Sequence, residues 1–196
     1  MKICYVGDGK SIHVYRWMDY FQKQGHQTLL LTDNPGNFPN INQKMIGNKQ
    51  GIKILHYIKS VRDIKREIKS FQPDILHAHF ISGYGYWAQM SCFHPLVLTA
   101  WGSDIYITPK KKSMSKMLTK KALEQADLVT ADSQDLKSEI LKLAPQTKRV
   151  EQIIFGVDTQ LFNSIEGVQG LKEKIYPKDS KIVLSKLAKS GSIPCL

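Results

Sequence analysis

Two histidines one residue apart, a Trp-Gly-Ser-Asp tetrad, a glycine-bearing loop and a run of lysines are the residues of this chain that could do chemistry. In Asp74-Ile75-Leu76-His77-Ala78-His79-Phe80 the apolar flanks read as a strand, and side-chain alternation puts both imidazoles on one face. Paired imidazoles invite a metal. No third nitrogen, sulfur or carboxylate stands at a recognisable ligand spacing, so no metal site is expected. His77, inside the strand, reads as a structural histidine, whereas His79, nearer the carboxyl end, is the candidate for substrate contact. Trp101-Gly102-Ser103-Asp104 follows a second apolar run, Leu96 to Ala100. Two readings stay open there: Ser103 or Asp104 capping the next segment, or Trp101 and Asp104 setting an aromatic wall and a carboxylate against a polyhydroxyl ligand.

Gly7-Asp8-Gly9-Lys10-Ser11 lies between the first apolar run and the first helical pattern, where amides and a helix dipole can receive phosphate. A P-loop is rejected, because Gly9-Lys10-Ser11 would need a glycine where Cys4 stands, inside the strand. The dinucleotide fingerprint finds Gly7 and Gly9 but meets Ile12 at its third glycine, with Asp33 placed for a ribose contact. An NAD-dependent oxidoreductase therefore stays open, beside the plain reading of a tight turn that needs permissive residues. Further on, Lys110, Lys111, Lys112, Lys116, Lys120 and Lys121 interleave with Met114, Met117, Leu118 and Ala122. On a helix the four apolar residues share one side and Lys112, Lys116 and Lys120 the other. That face is either solvated surface or a rest for anionic lipid. Nucleic acid is disfavoured, since no aromatic interleaving or groove-reading module accompanies the charge.

Alternating elements must position these residues. Short runs rich in β-branched residues, Lys2 to Val6, Gln27 to Thr32, Asp74 to Ala78, Leu96 to Ala100, Leu128 to Ala131 and Val150 to Phe155, are separated by helical patterns. This predicts an α/β fold: a Rossmann-like, doubly wound parallel sheet with helices on both faces. Val14, Trp17, Met18 and Phe21 mark the first helix, stopped at Gly25. Ile54, Ile58, Val61, Ile64, Ile68 and Phe71 mark a crossover helix stopped before Pro73. Asp132 and Asp135 are placed to cap a helix carrying Leu136, Ile140 and Leu143, and Asp33 to Gly51 reads as a long loop with one short element.

With 196 residues, 42% hydrophobic and 23% charged, the composition fits one globular core and excludes disordered and fibrous classes. Three cysteines without a C-x-x-C spacing exclude a disulfide framework and fit a cytoplasmic setting. No segment has the apolar length of a membrane span, and a net charge of +11 favours an anionic partner.

In chain order, Leu76-His77-Ala78-His79-Phe80, Leu98-Thr99-Ala100-Trp101-Gly102-Ser103-Asp104-Ile105, Ala126-Asp127-Leu128-Val129-Thr130-Ala131-Asp132-Ser133 and Gly156-Val157-Asp158-Thr159-Gln160-Leu161-Phe162 resemble the amino-terminal domain of family 4 glycosyltransferases. These are retaining enzymes of the GT-B fold, and the Trp-Gly-Ser-Asp version looks like a subgroup. The resemblance runs from Met1 to Phe162 and implies two facing Rossmann-like domains, 1–163 holding acceptor and the start of a donor domain within 164–196. It implies metal-independent sugar transfer to a cell-surface polysaccharide or glycolipid, with no tightly bound cofactor and the nucleotide-sugar held mostly by the donor half. By the same resemblance Gly9, Ser11 and His13 border the cleft, His79 lies on its floor, Trp101 stacks on a sugar ring with Gly102 and Ser103 also contacting substrate, and Asp104 orients an acceptor hydroxyl. Many relatives carry histidine where Trp101 stands, and Ile154 and Phe155 replace a usual proline and polar residue.

Lys181-Ile182-Val183-Leu184-Ser185 resembles the first donor-domain strand, and nothing after it matches. The expectation is an acceptor-side half, either truncated or completed by another chain and inactive without a donor domain, with a non-catalytic acceptor- or membrane-binding module as the alternative. Its expected place is cytoplasmic, peripheral at the inner face of the cell membrane through Lys110, Lys111, Lys112, Lys116 and Lys120.

Overall fold

The apolar runs pair side by side in the computed structural model, which describes residues 1–47 and 52–156. Strands β1 (Lys2–Val6), β2 (Gln27–Thr32), β3 (Gln43–Met45), β4 (Ile75–His79), β5 (Leu96–Thr99), β6 (Leu128–Ala131) and β7 (Val150–Gln152) form one sheet in the order β3-β2-β1-β4-β5-β6-β7. Every neighbouring pair is parallel, so all seven carboxyl ends reach the same edge. The order reverses beside β1, which lies between β2 and β4, and ligands of open α/β sheets bind at such a switch point. Short β3 is the extra element expected between Asp33 and Gly51.

Helices α1 (Ile12–Lys23), α2 (Lys53–Phe71), α3 (Tyr86–Met90), α4 (Ser103–Tyr106), α5 (Thr108–Lys111), α6 (Ser113–Gln125) and α7 (Gln134–Leu143) cover the two faces unequally. Val14 and Met18 of α1 pack on Ile3, Tyr5 and Leu30 on one side. On the other, Ile64 of α2, Trp87 of α3, Leu123 of α6 and Leu136 and Ile140 of α7 join Cys4, Val6, Leu76, Leu98 and Val129. Alternation along β1 sends Tyr5 to the first side and Cys4 and Val6 to the second, as a two-sided strand requires.

Three local expectations are corrected. Ser133, not Asp132, caps α7, its hydroxyl accepting from the Leu136 amide at 3.2 Å; Ser133 stands just before the first helical residue, Gln134, and Asp132 lies one place too early. On α2, Ile64 is buried and Val61, Ile68 and Phe71 pack against the core, but Ile54 and Ile58 stand in the open. The apolar spacing is nearer 3.5 than 3.6, so the stripe winds around the helix and leaves the core in the first two turns. On α6, Met114 and Met117 are exposed, while Thr119, Ala122 and Leu123 face inward.

Met1–Phe155 forms one compact unit. The expected boundary at 163, and the donor-domain start expected at Lys181, lie outside the described residues. Among the described residues no helix is long and apolar enough to cross a membrane.

Candidate functional site

The carboxyl edge brings together the loops after β1, β2, β4, β5 and β6. Gly7, Gly9, His79 and Asp104 therefore lie along one rim, on the adjacent strands β1, β4 and β5. Gly7 is needed there: a Cβ on it would sit 3.0 Å from Val14 Cγ2 and 3.5 Å from His79 Cβ.

Within the first loop the amides are engaged. The Gly9 amide donates to Thr32 Oγ1 (3.1 Å) and the Asn34 carbonyl (3.0 Å), Lys10 to Asp8 Oδ1 (2.9 Å), Ser11 to the Asp8 carbonyl (3.1 Å) and Gly7 to the Leu31 carbonyl (3.2 Å). Ser11 caps α1, its hydroxyl facing the Val14 amide at 3.5 Å. Asp33, placed from sequence for a ribose contact, is buried and accepts instead from Tyr84 Oη at 2.6 Å, with His56 Nε2 at 3.2 Å. The nicotinamide reading thus has neither a diphosphate cradle nor a free ribose carboxylate.

Gly9 serves packing rather than an open approach to ligand. A Cβ on it would lie 2.8 Å from the Gly36 nitrogen, and one on Gly36 only 1.9 Å from the Gly9 carbonyl oxygen. Both obstacles are backbone and cannot swing aside. Gly36→Ala is expected to cost about 3 kcal/mol, read as a shift in the urea midpoint at unchanged m-value. A midpoint like that of the parent would show that the two loops are free to part.

The histidines divide by depth. His77 is buried, with Nε2 2.7 Å from Thr99 Oγ1, which in turn meets Thr130 Oγ1 at 2.8 Å; burial lowers its pKa to about 3. His79, expected to touch substrate, has no exposed surface, and both ring nitrogens lack a hydrogen-bond partner among the described residues. It lies beneath Trp101, ring centroids 6.2 Å apart, and beside Tyr5, Trp17 and His77. Burial first, then His77 and His13, push its pKa well down, so the ring is neutral.

His13 is the imidazole that reaches the rim. It is half-buried, edge-on to Trp101 at 5.3 Å and stacked on Phe155 at 4.9 Å. Burial and then Arg16 lower its pKa, against an opposing pull from Asp132. A neutral imidazole offers one N–H and one lone pair, the complement of a sugar hydroxyl. Phe155, expected only as a departure in the linker, supplies one side of this aromatic corner. Sequence spacing could not reveal that contact, because it joins the first helix to the residues after the last strand.

Asp104, expected to orient an acceptor hydroxyl, faces inward. It has no exposed surface; Oδ2 accepts from the Ile81 amide at 2.8 Å and Oδ1 from the Trp101 amide at 3.0 Å. Burial raises its pKa and the backbone amides oppose the rise. Asp104 thereby ties the loop after β4 to the loop after β5 and acts as a positioning residue. Gly102 has φ +92°, a conformation that disfavours any side chain, and it turns the chain so that Trp101 is half-exposed and Ser103 exposed.

Lys110, Lys111, Lys112, Lys116 and Lys120 line a groove of about 810 Å³ rather than a flat face, with Lys142, Leu143 and Pro145 opposite. Glu139, also at its edge, is paired with Lys142 at 2.7 Å, and Lys120 has Glu124 at 3.8 Å. Lys110, Lys111, Lys112 and Lys116 have no ion-pair partner among the described residues.

Residues 2–133 match the family model described as Glycosyl transferase 4-like. The chain belongs to that family. Among solved structures, this glycosyl transferase 4-like chain is similar to sucrose-phosphate synthase from Thermosynechococcus elongatus, at 13% identity and a TM-score of 0.71 over 91% of this chain and 53% of that one. It is similar to HepE from Anabaena, solved in complex with UDP, at 17% identity and TM-score 0.66 over 89% and 50%. The lipopolysaccharide outer core galactosyltransferase WaaB is a further neighbour, at 16% identity and TM-score 0.58 over 81% and 46%. The chain thus spans about half the length of these proteins. At such identities the likeness is one of fold: the α/β, Rossmann-like half of a GT-B architecture. No curated protein matches the chain in sequence.

Proposed function

We propose that this chain is the acceptor-side half of a glycosyltransferase that moves a sugar from a nucleotide-sugar to a hydroxyl of a cell-surface polysaccharide or glycolipid, with retained anomeric configuration. One observation carries the reading: a glycosyl transferase 4-like domain presents a neutral imidazole, His13, beside an indole, Trp101, on the ligand-binding edge of its sheet. HepE, of the same fold, is solved with UDP-glucose, which supports a nucleotide-sugar donor here.

In the reaction the acceptor oxygen bonds to the anomeric carbon, the bond from that carbon to the diphosphate breaks, and the hydroxyl proton passes to the departing diphosphate. His13 orients the acceptor hydroxyl, Trp101 packs against a sugar ring, and Ser11, Gly102 and Ser103 border the same space. Asp104 holds Trp101 in place without touching substrate. No tightly bound cofactor enters this scheme. Charge developing on the diphosphate calls for fixed cations, which a donor domain supplies from the same polypeptide or a separate chain. The domain works at the cytoplasmic face of the cell membrane, where the lysines around Lys116 meet anionic lipid.

The test is sugar transfer from labelled UDP-sugars to polysaccharide and glycolipid acceptors, by the full chain with and without a family 4 donor domain. Transfer is expected only with the donor domain, and His13→Ala or Trp101→Ala should lower it roughly a hundredfold by loss of orientation. Transfer by the chain alone, unchanged in both variants, would overturn the proposal. Acceptor binding without transfer in any pairing would make the chain a non-catalytic binding module.

A further inference from the structure

The outward side of α2 carries charge of one sign. Its residues Ile54, Leu55, Ile58, Lys59, Arg62, Lys65, Arg66 and Lys69 fall within a single arc of the helix and are all exposed. The two acids of the helix are turned the other way. Asp63 and Glu67 are each 6% exposed; Asp63 accepts from the Gly47 amide at 3.0 Å, and Glu67 is held by Lys44 at 2.6 Å. Arg66 is drawn to both acids, at 3.0 Å each.

An ordinary solvated helix mixes signs on its open side. Here the first two turns present Ile54, Leu55 and Ile58, at 60, 57 and 55% exposure, and the next turns present Arg62, Lys65 and Lys69, which have no ion-pair partner among the described residues. The arrangement continues sideways. α2 contacts α3 and α3 contacts α6 on the same face of the sheet, and the outer side of α6 sets exposed Met114 and Met117 among lysines.

We infer that this helical layer docks on an anionic bilayer, with α2 lying in the plane of the interface. Ile54, Leu55 and Ile58 enter the acyl boundary, and Arg62, Lys65 and Lys69 meet lipid phosphates. An in-plane helix needs an apolar stretch flanked by cations with no outward acid, and α2 meets each condition. A second copy of the chain is a poor occupant, because the face would meet its own positive charge. The inference extends the membrane contact proposed for the lysines around Lys116, by naming the element that inserts, and does not depend on sugar transfer.

The experiment measures partitioning of the full chain onto vesicles of mixed phosphatidylglycerol and phosphatidylcholine, against pure phosphatidylcholine, over a range of salt. The parent is expected to bind only the anionic vesicles, more weakly as salt rises. Arg62→Ala with Lys65→Ala should weaken binding by roughly thirtyfold, at about fivefold per cation. Ile54→Ser with Ile58→Ser should weaken it by roughly tenfold while leaving the salt dependence intact. Tyr20→Ser, an exposed change on α1 across the sheet, should have no effect. All these positions are exposed, so the variants keep the fold, which thermal melts verify. Parent binding that ignores lipid charge, or isoleucine variants that bind like the parent, would overturn the inference. Loss confined to Lys112→Ala with Lys116→Ala would preserve the lysine contact and sink the role of α2.

Discussion

Asp104→Ala is expected to destabilise the domain by about 4 kcal/mol and to loosen the rim before any ligand is present. The carboxylate is wholly buried and is the acceptor for two amides, Ile81 and Trp101, from different loops. Removing it leaves one buried and one part-buried N–H group unpaired, at roughly 1–3 kcal/mol each. The loss falls where the chain is already irregular: Phe80 has φ 69° and Gly83 φ 108°, conformations held by their surroundings. Asp104→Asn should fare little better, since one amide then faces an NH2 group instead of an oxygen. Urea unfolding and hydrogen exchange at the Ile81 and Trp101 amides are the measurements. A variant as stable as the parent that fails only in sugar transfer would return Asp104 to the reacting atoms.

The second large effect is acid sensitivity centred on the buried histidine pair. Burial lowers both pKa values, to about 3 for His77 and well down for His79, so below the ordinary histidine value of about 6.5 the unfolded chain binds protons that the folded chain refuses. Stability from these groups is therefore full above that value and is lost as pH falls toward the folded pKa values. The slope is about 1.4 kcal/mol per pH unit for each proton taken up, roughly 3 for the pair. Urea midpoints across mildly acidic pH should show it before the carboxylates contribute. His79→Leu should remove half the slope and raise stability at acid pH, because among the described residues neither nitrogen of His79 has a partner to lose. A steeper or unchanged slope in that variant would mean that His79 titrates in the fold. Asp127 adds a later phase: burial opposes it, but Lys148, His94 and the Leu96 amide hold its carboxyl well below the usual range.

The sheet was legible because its strands are short apolar runs separated by helical periods, a pattern that survives without knowledge of contacts. β3 was visible only as an unspecified element, since Gln43-Lys44-Met45 has neither apolar bias nor alternation. For the histidines, alternation placed His77 and His79 correctly on one face, but could not tell that Trp17 and Trp101 close over it. Depth is a tertiary property, and so His13, marked only as a border, proved to be the imidazole at the rim. The same limit explains Gly9: its need for glycine comes from the backbone at Gly36, brought against it by the pairing of β1 with β2. The inversion of Asp63 and Glu67 was hidden too, because it depends on Lys44 and Gly47 reaching them from outside the helix.

The interior place of β1, between β2 and β4, has a consequence for biogenesis. β1 leaves the ribosome before both of its partners, β2 and β4, and the second of them is completed only at His79. Until then the nascent chain carries one unsatisfied edge on β1, the edge that β4 will fill. Distant parallel pairing of this kind is slow, and such intermediates are natural clients for chaperones that shield apolar strands during synthesis.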